Sequence, residues 1–151
     1  MRIVIQKVKQ AAVAINGKEV SHIGKGLMIL VGVENADTDA DVDWLCHKIM
    51  ALRIFDDENG VMNLSIAQVA GADILLVSQF TLMASTKKGN RPSYIRASRP
   101  EHSEPMYNMM AEKLSEMIGH PIPTGRFGAL MDVSLVNDGP TTIIIDSHLK
   151  E

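Results

Sequence analysis

Aromatic residues are scarce in this chain, at 4% of 151 residues, with one Trp, two Tyr and three Phe. That weighs against a surface that stacks several nucleic-acid bases in a row. Cysteine is almost absent too, and the lone Cys46 cannot form an intrachain disulfide. It sits beside Leu45 in an amphipathic pattern and is expected to be a small core residue, not a nucleophile. The formal charge of −3 excludes a globally basic nucleic-acid binder, so any RNA contact must come from a local patch. The longest apolar runs, residues 26–33 and 74–77, are too short to span a bilayer. The first ten residues alternate charged and apolar positions with no signal-peptide block, so a cytoplasmic protein with no membrane partner is expected.

Familiar catalytic motifs are missing as well. There is no G-x-S-x-G, H-E-x-x-H, C-x-x-C, GxxxxGK or dinucleotide fingerprint. The five histidines, His22, His47, His102, His120 and His148, have no spacing that aims two of them at one ion. No metal and no cofactor are expected.

What is present reads as alternating strands and two helices. Residues 2–9 and 12–16 are rich in Ile and Val at period two, and Asn16-Gly17 is a hairpin turn signal. Residues 26–33 (GLMILVGV) predict a central strand covered on both faces. Val42, Leu45, Ile49 and Leu52 mark an amphipathic helix over residues 37–53, with Asp37, Thr38 and Asp39 as caps and first-turn acids. A short helix is expected at 65–70 and a strand at 73–80. A second helix carries Met106, Met109, Met110, Leu114, Met117 and Ile118 as its apolar stripe, with Pro105 in the first turn and Gly119 after the end. Strands are predicted at 130–136 and 142–145, separated by a turn at Asn137-Asp138-Gly139-Pro140. Roughly seven strands and two helices that do not alternate strictly indicate one α+β domain over residues 1–151. The expected architecture is an antiparallel-rich sheet or partial barrel with both helices packed on it.

One segment departs from the acidic average. Residues 74–100 hold no acidic side chain but carry Lys87, Lys88, Arg91, Arg96 and Arg99. Such a loop suits phosphate neutralisation, and it follows Ser78-Gln79-Phe80-Thr81 at the end of a predicted strand, where a loop presents main-chain donors. A solvated basic surface loop fits the same charges.

The segment SQFTLMA, residues 78–84, together with NDGPTT, residues 137–142, resembles the two signatures of the D-aminoacyl-tRNA deacylase family. RIFDDENGVMN (53–63), KGNRPSY (88–94) and TGRFG (124–128) match supporting blocks in the family's order, the last including Arg126 and Phe127. Two positions depart from the pattern. Lys7 stands where the family usually has Arg to help hold the Gly-Pro turn, and Thr141 stands where it mostly has an aliphatic or aromatic residue.

The resemblance implies a homodimeric hydrolase acting on the aminoacylated 3′ end of tRNA, with DNA not a partner. It implies that Gly139-Pro140 is a cis peptide reaching into the partner's pocket and excluding L side chains by shape, with Asn137 and Thr142 in support. Glycyl-tRNA would then be a further substrate, having no side chain to exclude. Main-chain N–H groups of Phe80 and Thr81 are assigned to oxyanion stabilisation and Ser78 and Gln79 to orientation, because an activated ester needs no triad. The Phe80 side chain is expected to pack inward while its backbone serves the site. Lys87, Lys88 and Arg91 are assigned to tRNA phosphates. Two other classes remain: a non-catalytic RNA-binding module and a metal-free esterase for small molecules.

Overall fold

The computed structural model describes residues 1–150 and has seven strands and two long helices among them. Strand β1, Arg2–Ile15, runs through the middle of a five-stranded sheet. Along one edge its first half pairs antiparallel with β3, Gly26–Gly32, and its second half with β2, Lys18–Ile23. Along the other edge it pairs with β7, Asp132–Asp146. Asn16 (φ 51°) and Gly17 (φ 75°) form the β1–β2 turn, the left-handed pair that the Asn-Gly signal predicts. Strand β6, Asp73–Ser78, lies parallel to β3, and β4, Phe55–Asp56, with β5, Met62–Leu64, forms a separate small hairpin.

Alternation along β3 and β6 builds two cores. Leu27, Ile29, Ile74 and Leu76 face α1, Asp39–Ala51, and α2, Pro100–Ile118, where Leu45, Ile49, Met110 and Leu114 meet them. Met28, Leu75 and Val77 face the other way, onto Val8, Ala11 and Val13. Both central strands are therefore buried on both faces, and the fold is the α+β, antiparallel-rich arrangement with two helices on one side.

Long strands serve both cores by changing parity. In β7, Ile143 and Ile145 join the helix-side core, yet Val133 and Leu135, also odd-numbered, join the other. A strand with strict period two cannot do this. The β1–β7 register shifts between Gln6 and Val8 and again between Val8 and Gln10, opposite residues 136–142 of β7. Bulging there rotates every later side chain to the other face. The expected turn at Asn137-Asp138-Gly139-Pro140 is therefore an irregularity inside one continuous strand, not a break between two. The Gly139-Pro140 peptide is cis.

Three further expectations are corrected. Residues 2–9 and 12–16 form one strand, because β7 pairs along its whole length. Helix α2 begins at Pro100, the N1 position where a missing N–H costs nothing, so Pro105 lies inside the helix, and Met117 at its far end is 40% exposed. Asp37 does not cap α1. It is buried, accepting bonds from the Met1 amino group and the Glu34 N–H, while Thr38 takes the cap position and its N–H donates to Asp41 at 2.8 Å.

Candidate active site

Strand β6 ends at Ser78, and the chain turns into a single 3-10 turn, Phe80–Met83. Main-chain bonds fix its entry and first closure. Gln79 N–H donates to Val31 O of β3 at 2.7 Å, and Leu82 N–H is the first in the turn to find a carbonyl, that of Gln79, at 3.2 Å. The N–H groups of Phe80 and Thr81 precede that first closure and so have no acceptor within the turn. Gly32 lies beneath, where an added Cβ would sit 2.9 Å from Leu82 Cβ; no larger residue lets the turn approach β3 so closely.

Beside this turn is a cavity of about 510 Å³. Ser78, Gln79 and Phe80 form one wall and Phe127, Leu130 and Met131 another, with Ser98, just before α2, and Ser103, inside it, also lining the cavity. Among the described residues no ionisable side chain lines it. The nearby Tyr107 hydroxyl donates to Leu76 O at 2.8 Å, and burial pushes its pKa up to about 12. The Cys46 thiol is buried against Met110 O, and burial raises it to about 12 as well, in keeping with a core residue. Polar chemistry in this cavity therefore falls to main-chain groups, hydroxyls and the Gln79 amide. Gln79 Nε2 donates to Thr81 Oγ1 at 2.5 Å, so the Thr81 hydroxyl is already engaged.

Phe80 departs from expectation. Its side chain is 58% exposed and meets Tyr94 edge-on, with ring centroids 5.2 Å apart and planes at 72°. The 3-10 turn points the ring outward over the cavity mouth because Leu82 and Met83 occupy the inward side against Gly32. Tyr94, Ser98, Ser103 and Leu130 at this site were not singled out from sequence, since only the path of the chain assembles them. Phe127, by contrast, packs on Tyr107 at 5.9 Å as part of the wall.

Lys87, Lys88 and Arg91 are exposed on a loop closed by a reciprocal pair, Ser85 N–H to Ser93 O at 2.8 Å and Ser93 N–H to Ser85 O at 2.9 Å. Arg96 is not free in the same way: its guanidinium pairs with Glu34 at 3.0 Å, so the free charge of the segment is smaller than its sequence suggests. Arg126 is exposed near the cavity wall.

Gly139 and Pro140 are exposed and are not among the residues that line this cavity. Asn137 braces them from within, its Nδ2 donating to Lys7 O at 2.9 Å and to Thr141 O at 3.0 Å. The buried Lys7 ammonium lies 3.8 Å from Asp138 and 3.7 Å from Asp56, a point charge between two carboxylates. Thr142 Oγ1 accepts from Gln6 at 3.3 Å, and Thr141 is buried beside Met62.

Far along the chain, Glu34, Asp37 and His148 bring three ligand-type atoms within 4.8 Å of one another. The Met1 ammonium already lies on Asp37 and Arg96 on Glu34, so this cluster carries its own counter-charges.

Comparison with known proteins agrees with the motif resemblance. The family model described as D-Tyr-tRNA(Tyr) deacylase matches residues 4–146. A D-aminoacyl-tRNA deacylase of Parabacteroides distasonis is 58% identical over 151 residues, covering 100% of both chains, and one of Bacteroides fragilis is 59% identical with the same coverage. Among solved structures, one named c-Myc DNA Unwinding Element Binding Protein superposes with a TM-score of 0.89 at 38% identity, covering 97% of this chain and 98% of that one. A probable eukaryotic D-amino acid tRNA deacylase shares the fold alone, with a TM-score of 0.81 at 18% identity over 95% and 97% of the two chains. With a family model spanning nearly its whole length and full-length relatives well above half identical, the chain belongs to the D-Tyr-tRNA(Tyr) deacylase family of enzymes.

Proposed function

We propose that the chain hydrolyses the ester joining a D-amino acid to the 3′ end of tRNA, releasing free D-amino acid and tRNA. The observation that carries this reading is a cavity lined by Phe80, with no ionisable side chain among the described residues, beside a turn whose Phe80 and Thr81 N–H groups have no acceptor within the turn. An aminoacyl ester is an activated acyl group. Water attacks its carbonyl carbon, the developing oxyanion accepts hydrogen bonds from those two donors, and the ribose oxygen leaves with a proton. Fixed donors in a site walled by apolar groups stabilise the tetrahedral charge more than mobile water does, by about 3 kcal/mol per donor. Ser78 and Gln79 orient the substrate, and the adjacent ribose 2′-hydroxyl is the nearest group to share the proton.

Handedness is read by the main chain. In a homodimer, the exposed Gly139-Pro140 element of one protomer enters the cavity of its partner, where its carbonyl oxygens hold the substrate α-amino group. An L side chain would then point at this backbone, a D side chain away from it, and glycine would meet no obstacle. Backbone recognition ignores side-chain identity, which suits an enzyme that accepts many D-amino acids. Large exposed apolar residues, Leu130 at 93% and Ile144 at 68%, support a covered face in the dimer. Lys87, Lys88 and Arg91 meet tRNA phosphates, and the cytoplasm, where tRNA is charged, is the site of action. Among the described residues no helix is long and apolar enough to cross a membrane.

The test is turnover of D-tyrosyl-, L-tyrosyl- and glycyl-tRNA, with oligomeric state followed by sedimentation. Rapid hydrolysis of the D and glycyl substrates and slow hydrolysis of the L substrate are expected. Binding without turnover would leave an RNA-binding module, and equal cleavage of simple esters a small-molecule esterase.

A further inference from the structure

We infer that Arg2 is a positioning residue for this hydrolysis, holding the Phe80–Met83 turn from the end opposite its free N–H groups; the inference rests on the reading of Phe80 and Thr81 as oxyanion donors. Arg2 Nη1 donates to Leu82 O, inside the turn, at 3.0 Å. The rest of the fork is spent on Asp146, with Nε and Nη2 reaching Oδ2 at 3.0 and 2.9 Å. Arg2 and Asp146 are directly opposed in the β1–β7 register, so the carboxylate is delivered by the sheet itself. His148 N–H donates to the other carboxylate oxygen at 3.0 Å and keeps Asp146 aimed.

The turn needs such a tie. Four residues of 3-10 geometry make few and poorly aligned internal bonds. Gln79 N–H on Val31 O anchors the entry to β3, and Ala84 N–H on Thr81 O closes the exit. Between them, the Leu82 carbonyl would have no partner from the turn's own bonds. Arg2 supplies it and fastens the turn to β1 and β7 together. Lysine could hold one acceptor but not fork across both. Arg2, Leu82 and Asp146 are not among the residues lining the cavity, so Arg2 acts through the turn and not on the substrate.

The experiment uses the full-length protein labelled with ¹⁵N and a non-hydrolysable phosphonate analogue of D-tyrosyl-adenosine, whose tetrahedral anion mimics the intermediate. In the parent, the analogue should shift the Phe80 and Thr81 amide resonances. In Arg2→Gln it should bind at least about 10-fold more weakly, and kcat on D-tyrosyl-tRNA should fall on the order of 10- to 100-fold, the loss expected from misplacing donors by a fraction of an ångström to 1 Å. KM should stay within about 2-fold, since ground-state contacts are untouched. Arg2→Lys should fall between the two. A purely structural role predicts lower Tm with unchanged kcat in the folded fraction, and that result overturns the inference. If the parent amides do not shift, the donor reading itself fails, and Arg2's role with it. Should Arg2→Gln not fold, Asp146→Asn keeps the guanidinium but releases its anchor. A several-fold lower kcat at constant KM is then expected, and an unchanged kcat overturns the assignment.

Discussion

Asn137 Nδ2 donates to the main-chain oxygen of Lys7 at 2.9 Å, joining two strands at the point where their register breaks. The same amide reaches Thr141 O at 3.0 Å, so one side chain spans the bulged stretch that carries Gly139 and Pro140. Lys7 adds charge to this brace through Asp138 and Asp56. The element proposed to read chirality is thus a rigid projection from the sheet, exposed on its outer side.

Gly139→Ala should keep the fold and lose the D-substrate activity. An added Cβ would meet only Asn137 Oδ1, at an ordinary 3.6 Å, so thermal stability should change by less than about 1 kcal/mol. In the proposed dimer the same methyl group would crowd the substrate in the partner's cavity, and turnover should drop on the order of 10-fold or more. Steady-state hydrolysis of D-tyrosyl-tRNA, with Tm and dimer content alongside, decides; parent-like turnover in a stable dimer would move chiral selection elsewhere.

Thr81→Ala should retain most of its turnover. Its hydroxyl accepts from Gln79 at 2.5 Å, and no histidine or carboxylate lines the cavity to activate it, whereas the Thr81 N–H survives the substitution. Rates should stay within about 5-fold of the parent, allowing for a loosened Gln79. Mass spectrometry of the quenched parent enzyme should find no acyl-Thr81, and trapping one would replace this mechanism with covalent catalysis.

Replacing Lys87, Lys88 and Arg91 together with Gln should weaken tRNA binding without changing the rate at saturation. For every phosphate that is no longer neutralised, the slope of log K against log salt should become shallower by about 0.7 to 0.9. Filter binding between low and moderate salt measures this, and an unaltered slope would put the phosphate-binding charges on another surface.

Stability should decline in acid partly through Asp146. Burial opposes ionisation of its carboxyl, but the His148 N–H and the Arg2 guanidinium outweigh it and hold the pKa below the ordinary 3.8. A carboxyl with a depressed folded pKa stabilises fully above its unfolded value and loses that contribution as pH falls through the folded one. Asp146→Asn should therefore lower stability near neutrality by about 1–2 kcal/mol and flatten the decline below pH ~4. Urea titrations across that range would show a parallel decline in both proteins if Asp146 were not involved.

Local chemistry made much of this molecule legible in its sequence. Asn16-Gly17 announced the first turn because left-handed φ at two successive residues demands such a pair. The period of Val42, Leu45 and Ile49 announced α1, and GLMILVGV a strand buried on both sides, since burial patterns follow backbone repeat. The blocks around Ser78–Thr81 and Asn137–Thr142 pointed to the family by residue type and order, as motifs do. Tertiary structure decided what distance along the chain conceals. Whether residues 137–140 end a strand or bulge within one depends on pairing with β1, more than a hundred positions away. Phe80 turns outward because Gly32 admits Leu82 and Met83 beneath it, and Arg96 leaves the basic patch because Glu34 stands opposite. Arg2 reaches Leu82 only because β1, β7 and the turn converge. These outcomes rest on contacts between residues remote in sequence, for which neither propensity nor periodicity carries information.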